Sequence, residues 1–213
     1  MAEHPQATNQ QPIDFEKFEV RDGDGWEKVS ATETYADPYI QIERATYHSP
    51  SRPGEPVNWT IAHRKSAIAV ASQDADGSWL MIHQERFPVQ LTLWEFPAGQ
   101  IDDLEHRLET DIIVETVHQE LAEETGFRLA GAGQLVPLGY FFSSQGFTTE
   151  HVYLFHATRV EPTTEGRSAV GGERIPDIGR FKTEQLRQMV ADGEIRDALS
   201  LALFARLSAR GVI

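Results

Sequence analysis

The sequence predicts an α/β fold in which a mixed β-sheet lies between α-helices, with a small β element at the N-terminus. Two observations lead to this fold class. Several short segments rich in β-branched and aromatic residues follow one another between residues 59 and 158. Two segments with helical patterning accompany them, one inside this series and one after it. Strands interleaved with helices in this order favour a sheet that is covered by helices.

The composition is typical of one soluble globular domain. The chain has 213 residues, of which 40% are hydrophobic and 24% are charged. No apolar run is long enough to span a bilayer, and the polar start lacks the basic-then-apolar order of a secretory signal. Because the chain also has no cysteine for disulfides or thiolate metal sites, we expect a cytoplasmic protein without a membrane partner.

The net charge of −14 narrows the classes of partner. A strongly acidic protein binds nucleic acid and anionic lipid poorly, because both reward positive charge. We therefore expect no nucleic-acid partner. If the ligand is itself a polyanion, its charge has to be offset locally, and a divalent cation held by carboxylates would do so.

The N-terminal region predicts a tail followed by a small β element. Residues 1–14 are polar and are expected to form a disordered tail, while residues 15–48 are expected to form the β element, with a strand near Tyr39–Arg44. The turn formers of Ser49–Asn58 are expected to separate this element from the main domain, residues 57–213.

The main domain contains a series of strand candidates, and the stretch Asp74–Gly77 (DADG) has the composition of a hairpin turn between the first two of them. The candidates are Trp59–Ser72, Ser78–Arg86, Trp94–Phe96, Val136–Phe142 and His151–Thr158.

Two helices are expected in the same domain. The first runs over Asp111–Thr125 and ends at Gly126, a residue suited to the left-handed C-terminal cap. The second lies within Thr183–Leu207 and is broken at Gly193. Before it, Val160–Pro176 is a long loop rich in Gly, Ser, Thr and Pro, of the kind that often forms a functional lid or is simply mobile.

Three glutamates share one face of the first helix. At 100° per residue, Glu123 lies about 60° to one side of Glu120 and Glu124 about 40° to the other. This face borders the apolar stripe, so the carboxylates are expected at the rim of the core. Their like charges repel unless a hard cation binds them. On spacing alone, a solvated acidic helix face is an equal alternative.

The segment Trp94–Phe127 resembles the Nudix box, in which a glycine and a glutamate precede a helix that carries a glutamate cluster. Gly99 and Glu105 match its opening, and ELAEETGF (Glu120–Phe127) matches its end. Two departures stand out. The loop His106–His118 is six residues longer than the motif allows, and Gln119 replaces the arginine that orients the glutamates in the family.

This resemblance implies a Nudix fold and a metal-dependent site. Glu120, Glu123 and Glu124 would act in catalysis and bind Mg²⁺, or Mn²⁺ in its place, with the carbonyl of Ala98 as a further ligand. A loop glutamate, Glu173, would act as the general base, although a solvated loop glutamate is the plainer interpretation.

Segments outside the box resemble ADP-ribose pyrophosphatases and related sugar-nucleotide hydrolases. They include WEFPAGQID, which contains Glu95, and HQERFPV, whose Arg86 would contact substrate phosphates. The C-terminal GEIRDALSLAL (Gly193–Leu203) also fits. The loop SSQGFTTE contains a matching Gly146 for the substrate site, but Gln145 stands where a proline is expected.

The N-terminal segments resemble the same subfamily. Trp26 and Trp59 match tryptophans that sandwich adenine across a homodimer, and Arg64 matches an arginine that follows the second of them. Stacking on a base contributes roughly 1–3 kcal/mol. The alternative interpretation is that Trp59 begins a core strand and Trp26 packs within the small N-terminal element.

The resemblance implies hydrolysis of the diphosphate in a small-molecule nucleotide sugar, with ADP-ribose cut to AMP and ribose 5-phosphate. A different nucleotide sugar, such as GDP-mannose or a UDP-sugar, is the first alternative, and Gln145 favours it. A catalytically weak Nudix protein that binds a nucleotide sugar is the second, and Gln119 with the longer loop favours that one.

Overall fold

The computed structural model describes residues 13–20, 23–101, 110–168 and 174–213. Its strands are β1 (Glu27–Ala36), β2 (Gln41–Ser49), β3 (Arg52–His63), β4 (Ala67–Asp74), β5 (Trp79–Arg86), β6 (Leu91–Glu95), β7 (Ala98–Gln100), β8 (Phe127–Phe142), β9 (His151–Pro162) and β10 (Asp177–Phe181). Its helices are α1 (Thr110–Thr125), α2 (Thr183–Ala191) and α3 (Ala198–Ala209).

The strands form two sheets. β1, β2 and β3 make an antiparallel three-stranded sheet, here called the N-terminal sheet. The second sheet has the order β10-β5-β4-β9-β8, with β6 paired to β5 and β7 paired to β4. In this sheet β4 and β9 run parallel, and the other pairs are antiparallel. The sheet is therefore mixed, as predicted.

Helices cover both faces of the mixed sheet. Successive side chains of a strand point to opposite faces, so β4 contributes to both cores. Ile68 and Val70 pack with Val117 of α1 on one face. Ala69 packs with Leu203 of α3 on the other, where α2 also lies. The predicted fold class, a mixed sheet between helices with a small β element before it, is confirmed.

Both predicted helical segments are present, and their ends lie within two residues of the predicted ones. α1 stops at Thr125, and Gly126 follows at φ 73°, the left-handed region that glycine adopts without steric cost. The C-terminal helical segment is two helices, and Gly193 at φ 70° lies in the break between them. None of the described helices combines the length and apolar character that a bilayer-spanning segment needs.

The prediction that Ser49–Asn58 separates the N-terminal element from the main domain is wrong, because β3 begins at Arg52 and pairs with β2. The single strand expected over Trp59–Ser72 is also wrong. Its first part completes β3 of the N-terminal sheet, and its second part is β4 of the mixed sheet. β3 is an edge strand, which tolerates prolines such as Pro53 and Pro56 because their missing N–H groups can face away from the partner.

The segment that precedes the N-terminal sheet also contributes to the core. Ile13 and Phe15 pack against the cluster on the α1 face of the mixed sheet, and the Phe15 ring lies edge-on to Phe155 at 5.4 Å between centroids. Ile13 therefore belongs to the packed fold, although the tail was expected to include it. Residues 1–12 of that predicted tail lie outside the described residues.

Candidate active site

The glutamate face of α1 lines a cleft of about 980 Å³. α1 buries Val117 and Leu121 against the mixed sheet, which turns the neighbouring carboxylates towards the rim. Glu120 and Glu123 are half-buried there, and Glu124 is buried. The three glutamates predicted from the helical spacing therefore border one cavity, and the plain solvated face is not what the structure shows.

The strand β7, which precedes α1 in the chain, contacts these carboxylates. The backbone N–H of Ala98 donates to Oε2 of Glu124 at 2.9 Å. The carboxyl group of Glu120 lies so close to Gly99 that a Cβ at this position would overlap it. Glycine at position 99 thus leaves room for the carboxyl group of Glu120, and its φ is not in the left-handed region.

Gln119 contacts Glu123 at the exposed end of the glutamate cluster. Its Nε2 donates to Oε1 of Glu123 at 3.0 Å, one helical turn along α1. The contact is a neutral donor on a carboxylate, so it fixes the direction of Glu123 without adding positive charge.

The donors gathered here suit a hard divalent cation, since carboxylate and backbone carbonyl oxygens are the ligands such ions prefer. Glu120, Glu123 and Glu124 supply the carboxylates, and Ala98 also lines the cleft. Within the described part of the chain, no three acidic or imidazole side chains are already drawn together into a closed cation site. Rotation of the half-buried glutamates would therefore accompany cation binding.

Arg86 and Glu95 form another part of the cleft wall. Nε of Arg86 donates to Oε1 of Glu95 at 3.0 Å, and Nη2 donates to Oε2 at 2.6 Å. Glu95 is 3% exposed, so this two-point pairing is largely shielded from water and fixes the guanidinium plane. Both predicted residues line the cleft, and in the structure Glu95 contacts Arg86.

A further carboxylate lies at this wall. Asp197 is the N-cap of α3, where its side chain accepts from the backbone N–H of Ser200 at 2.8 Å. The pKa of Asp197 is raised to about 6, mainly by burial and to a smaller extent by the charge of Glu95, while the Ser200 hydrogen bonds and Arg86 act in the opposite direction. Oδ1 of Asp197 is buried without a hydrogen-bond partner among the described residues.

Several cationic residues at the cleft were not selected from the sequence. Lys65, Arg167 and Arg196 all line it. Glu150 also lines the cleft, and its Oε1 pairs with Nη1 of the predicted Arg64 at 2.9 Å. These residues come from the β3–β4 connection, the β8–β9 loop, the loop after β9 and the chain before α3, so no local spacing could bring them together.

Gly126 explains how Arg167 reaches the site. The carbonyl of Gly126 accepts from the backbone N–H of Thr163 at 2.7 Å, which ties the loop after β9 to the end of α1. A Cβ at Gly126 would lie 3.0 Å from the backbone nitrogen of Arg167. The motif glycine thus serves both the helix cap and the close passage of this loop.

Three predicted substrate residues are placed elsewhere. Trp26, Trp59 and Gly146 are not among the described residues that line the cleft. Trp26 is 57% and Trp59 is 51% exposed, so the alternative in which they pack inside the protein is wrong. Trp59 instead donates from Nε1 to the carbonyl of Gly146 at 2.8 Å. The predicted general base, Glu173, lies outside the described residues.

The chain is similar to known proteins of one family. The pattern of the NUDIX domain matches residues 62–204. An ADP-ribose pyrophosphatase of Bacillus subtilis (strain 168) is 29% identical over 138 residues, which are 65% of this chain and 69% of that protein. A GDP-mannose pyrophosphatase of Klebsiella pneumoniae subsp. pneumoniae is 35% identical over 99 residues, 46% of this chain and 48% of that protein.

The fold itself has a solved counterpart. A crystal structure of an ADP compounds hydrolase superposes with a TM-score of 0.70 at 14% sequence identity, covering 91% of this chain and 100% of that one. The NUDIX match includes β4 to β10, the glutamate helix, α2 and the first part of α3. On this match, the chain belongs to the Nudix family.

Proposed function

We propose that this protein hydrolyses the diphosphate of a nucleoside diphosphate sugar in a divalent-metal-dependent reaction, with ADP-ribose as the main substrate and AMP and ribose 5-phosphate as products. The observation that carries this proposal is the cleft that the α1 carboxylates Glu120, Glu123 and Glu124 share with the guanidinium of Arg86, which Glu95 pairs at two points. The likeness to an ADP-ribose pyrophosphatase supports the choice of substrate.

The α1 glutamates are the proposed metal ligands. Glu120, Glu123 and Glu124 would hold Mg²⁺, or Mn²⁺ in its place, with the carbonyl of Ala98 completing part of the oxygen shell. The chemistry supplied by a bound cation is charge offset at the nonbridging phosphate oxygens and activation of the attacking water. Ala98 and Gly99 keep two of the three carboxylates in place through the contacts described above.

Positive side chains on the cleft wall would orient the diphosphate. A planar guanidinium binds phosphate oxygens in pairs, and the pairing of Arg86 with Glu95 leaves the arginine little rotational freedom to lose on binding. Arg167 and Arg196 border the same cleft and add positive charge to an otherwise acidic protein. Because phosphoryl transfer depends mainly on positioning and charge stabilisation, these groups suit the reaction.

The nucleoside end is proposed to lie between two copies of the chain. Trp26 and Trp59 would sandwich the adenine across a homodimer, with Arg64 nearby, as the family resemblance implies. Both rings are more than half exposed and lie outside their own cleft, which leaves them available to a second copy. Every residue of β1 is exposed, and Val29 gives the start of this strand an apolar side chain for a partner to cover.

The general base and the location in the cell complete the proposal. Glu173 is retained as the proposed base, since the loop after β9 brings Arg167 and Ser168 to the cleft only a few residues earlier. The absence of cysteine supports a reducing, cytoplasmic setting.

Hydrolysis of GDP-mannose is a second candidate. A GDP-mannose pyrophosphatase is among the relatives, and Gln145 stands where the ADP-ribose subfamily carries proline. The β5–β6 side of the cleft offers Pro88, Val89 and Leu91 to a base or sugar of either kind, so the apolar wall does not separate the two substrates.

A hydrolysis panel tests the proposal. The purified protein with Mg²⁺ is given ADP-ribose, GDP-mannose, UDP-glucose, a dinucleotide and a nucleoside triphosphate, and products are identified by mass spectrometry. We expect AMP and ribose 5-phosphate from ADP-ribose at the highest kcat/KM. Highest turnover of GDP-mannose would support the second candidate, and direct release of inorganic phosphate from ADP-ribose would reject the proposed cleavage.

A further inference from the structure

The end of β3 runs along the loop of residues 143–150, which connects β8 to β9 and is here called the 143–150 loop. The backbone N–H of Ala62 donates to the carbonyl of Phe147 at 2.7 Å, and the N–H of Thr149 donates back to the carbonyl of Ala62 at 3.2 Å. Ala62 also pairs with Thr148 as an isolated parallel bridge. The N-terminal sheet therefore holds a loop of the Nudix domain by its backbone.

One side chain extends this contact to the tip of the loop. Nε1 of Trp59 donates to the carbonyl of Gly146 at 2.8 Å, across 87 positions of sequence. The bond uses the edge of the indole, and about half of the Trp59 side chain stays exposed. Gly146 is itself exposed, so few packing contacts compete with this hydrogen bond in setting the position of the tip.

The end of the same loop enters the cleft. Glu150 lines the cavity with Glu120, Glu123 and Glu124. Its Oε1 pairs with Arg64 at 2.9 Å, and its Oε2 accepts from the hydroxyl of Ser143 at 2.5 Å. Ser143 begins the loop and Glu150 ends it, so this hydrogen bond closes the loop at its base, and Trp59 fixes the tip.

We propose that Trp59 is a positioning residue, which holds the 143–150 loop through Gly146 so that the Arg64–Glu150 pair stays oriented in the cleft. This inference rests on the proposed function for its effect on turnover. The resemblance assigns Trp59 only a stacking role. The indole edge serves the loop while the exposed ring face stays available for a base, so one residue would link the nucleoside end of the substrate to the charged groups of the cleft.

Trp59→Phe separates the two roles, because it keeps a ring that can stack and removes the N–H donor. Tyr35→Phe is the matched control: it removes one hydrogen bond, from the hydroxyl to Asp37 at 2.9 Å, from an exposed aromatic residue of the same sheet that does not touch the loop. Hydrogen exchange of peptides covering residues 143–150 and steady-state hydrolysis of ADP-ribose are measured on the full chain.

We expect Trp59→Phe to speed exchange in the 143–150 loop about five-fold, as loss of one net hydrogen bond allows, and Tyr35→Phe to leave it unchanged. The kcat should fall by a similar factor while KM stays within about two-fold, because an orienting contact is lost and ring stacking is kept. In a Glu150→Gln background, Trp59→Phe should have little additional effect, since the two act through one loop.

Unchanged exchange in the 143–150 loop would overturn the inference whatever the activity of the enzyme. A rise in KM alone, with kcat intact, would also overturn it and leave only the stacking role. Wild-type protein that hydrolyses no nucleotide sugar would instead overturn the proposed function, and the exchange measurement would still decide whether Trp59 holds the loop.

Discussion

Nε2 of Gln119 donates to Oε1 of Glu123 at 3.0 Å, at the position where the family carries arginine. The sequence alone raised the prospect of a weakened site, because the expected positive charge is missing. The structure shows that Gln119 makes one hydrogen bond to Glu123 without adding positive charge.

Replacing Gln119 tests how much the charge matters. Gln119→Leu removes the donor and should lower kcat by roughly 3- to 10-fold, which corresponds to the loss of one exposed hydrogen bond of about 1 kcal/mol. Gln119→Arg should equal or exceed the wild type, because a charge-assisted bond is stronger. Steady-state hydrolysis of ADP-ribose is the measurement. Equal turnover in both variants would show that Glu123 needs no orienting partner.

Gly99→Ala tests the close approach of the Glu120 carboxyl group. The added Cβ would overlap that group, which is half-buried and can rotate away, so stability should change by less than about 1 kcal/mol. Activity should fall by about 100-fold, since a proposed metal ligand is displaced. Gly131→Ala is the matched control, because nothing lies within 4 Å of a Cβ there. Loss of activity in both variants would point to a general disturbance of the fold.

Asp197 makes stability depend on pH. Burial raises its pKa to about 6 from 3.8, so the folded protein binds this proton more tightly than the unfolded chain does. That stabilising contribution is fully present below about pH 4 and is lost as the pH rises through about 6. The difference amounts to about 3 kcal/mol at most.

Asp197→Asn removes the titration and keeps an N-cap acceptor for Ser200. Urea unfolding at pH 4 and pH 8 measures the effect. We expect the variant to match the wild type at pH 4 and to be more stable by about 1–3 kcal/mol at pH 8. A constant difference between the two proteins at both pH values would show that Asp197 ionises normally.

The glutamate helix was predictable because its signals are local. The period of 3.6 residues places Glu120, Glu123 and Glu124 on one face beside the apolar stripe, and Gly126 marks the helix end. The structure bears out the helix bounds and the shared cleft. A local pattern cannot show the reason for Gly99. The space that a Cβ would take at this position is filled by the side chain of Glu120, from a helix that starts eleven positions later.

The rest of the cleft could not be predicted because it depends on how distant elements meet. Lys65, Arg167 and Asp197 come from three connections, and only the order of the mixed sheet brings them to one edge. β1 was missed for a different reason. All ten of its residues are exposed, so it lacks the alternation of buried and exposed positions that identifies a strand with one face on a core.

Glu124→Gln tests the assignment of the metal ligands. The amide can still accept the hydrogen bond from the backbone N–H of Ala98, 2.9 Å away, so the fold should be intact. Its lower charge weakens cation binding, and we expect kcat to fall by two or more orders of magnitude. Glu115→Gln, on an exposed part of the same helix, is the control. Near-wild-type turnover of Glu124→Gln would reject this residue as a ligand.

Arg86→Lys tests whether Arg86 contributes to the reaction through the fixed geometry of its guanidinium or through its charge alone. Lysine keeps the charge but cannot reproduce the two-point contact to Glu95, whose side chain is buried. We expect kcat/KM for ADP-ribose to fall by roughly 10- to 100-fold, since both the orientation towards phosphate and the partner of a buried carboxylate are impaired.

Arg128→Lys is the matched control for this change, because Arg128 forms an exposed pair with Glu161 at 2.8 Å and such pairs contribute about 0–1 kcal/mol. It should leave both stability and kcat/KM near the wild type. If Arg86→Lys also retained full kcat/KM, a point charge would suffice at this wall, and the bidentate pair with Glu95 would serve the fold alone. A loss of kcat/KM confined to Arg86→Lys, at unchanged thermal stability, would instead place the guanidinium geometry in the reaction. Unchanged stability would mean that the loss does not come from leaving the buried carboxylate of Glu95 without its partner.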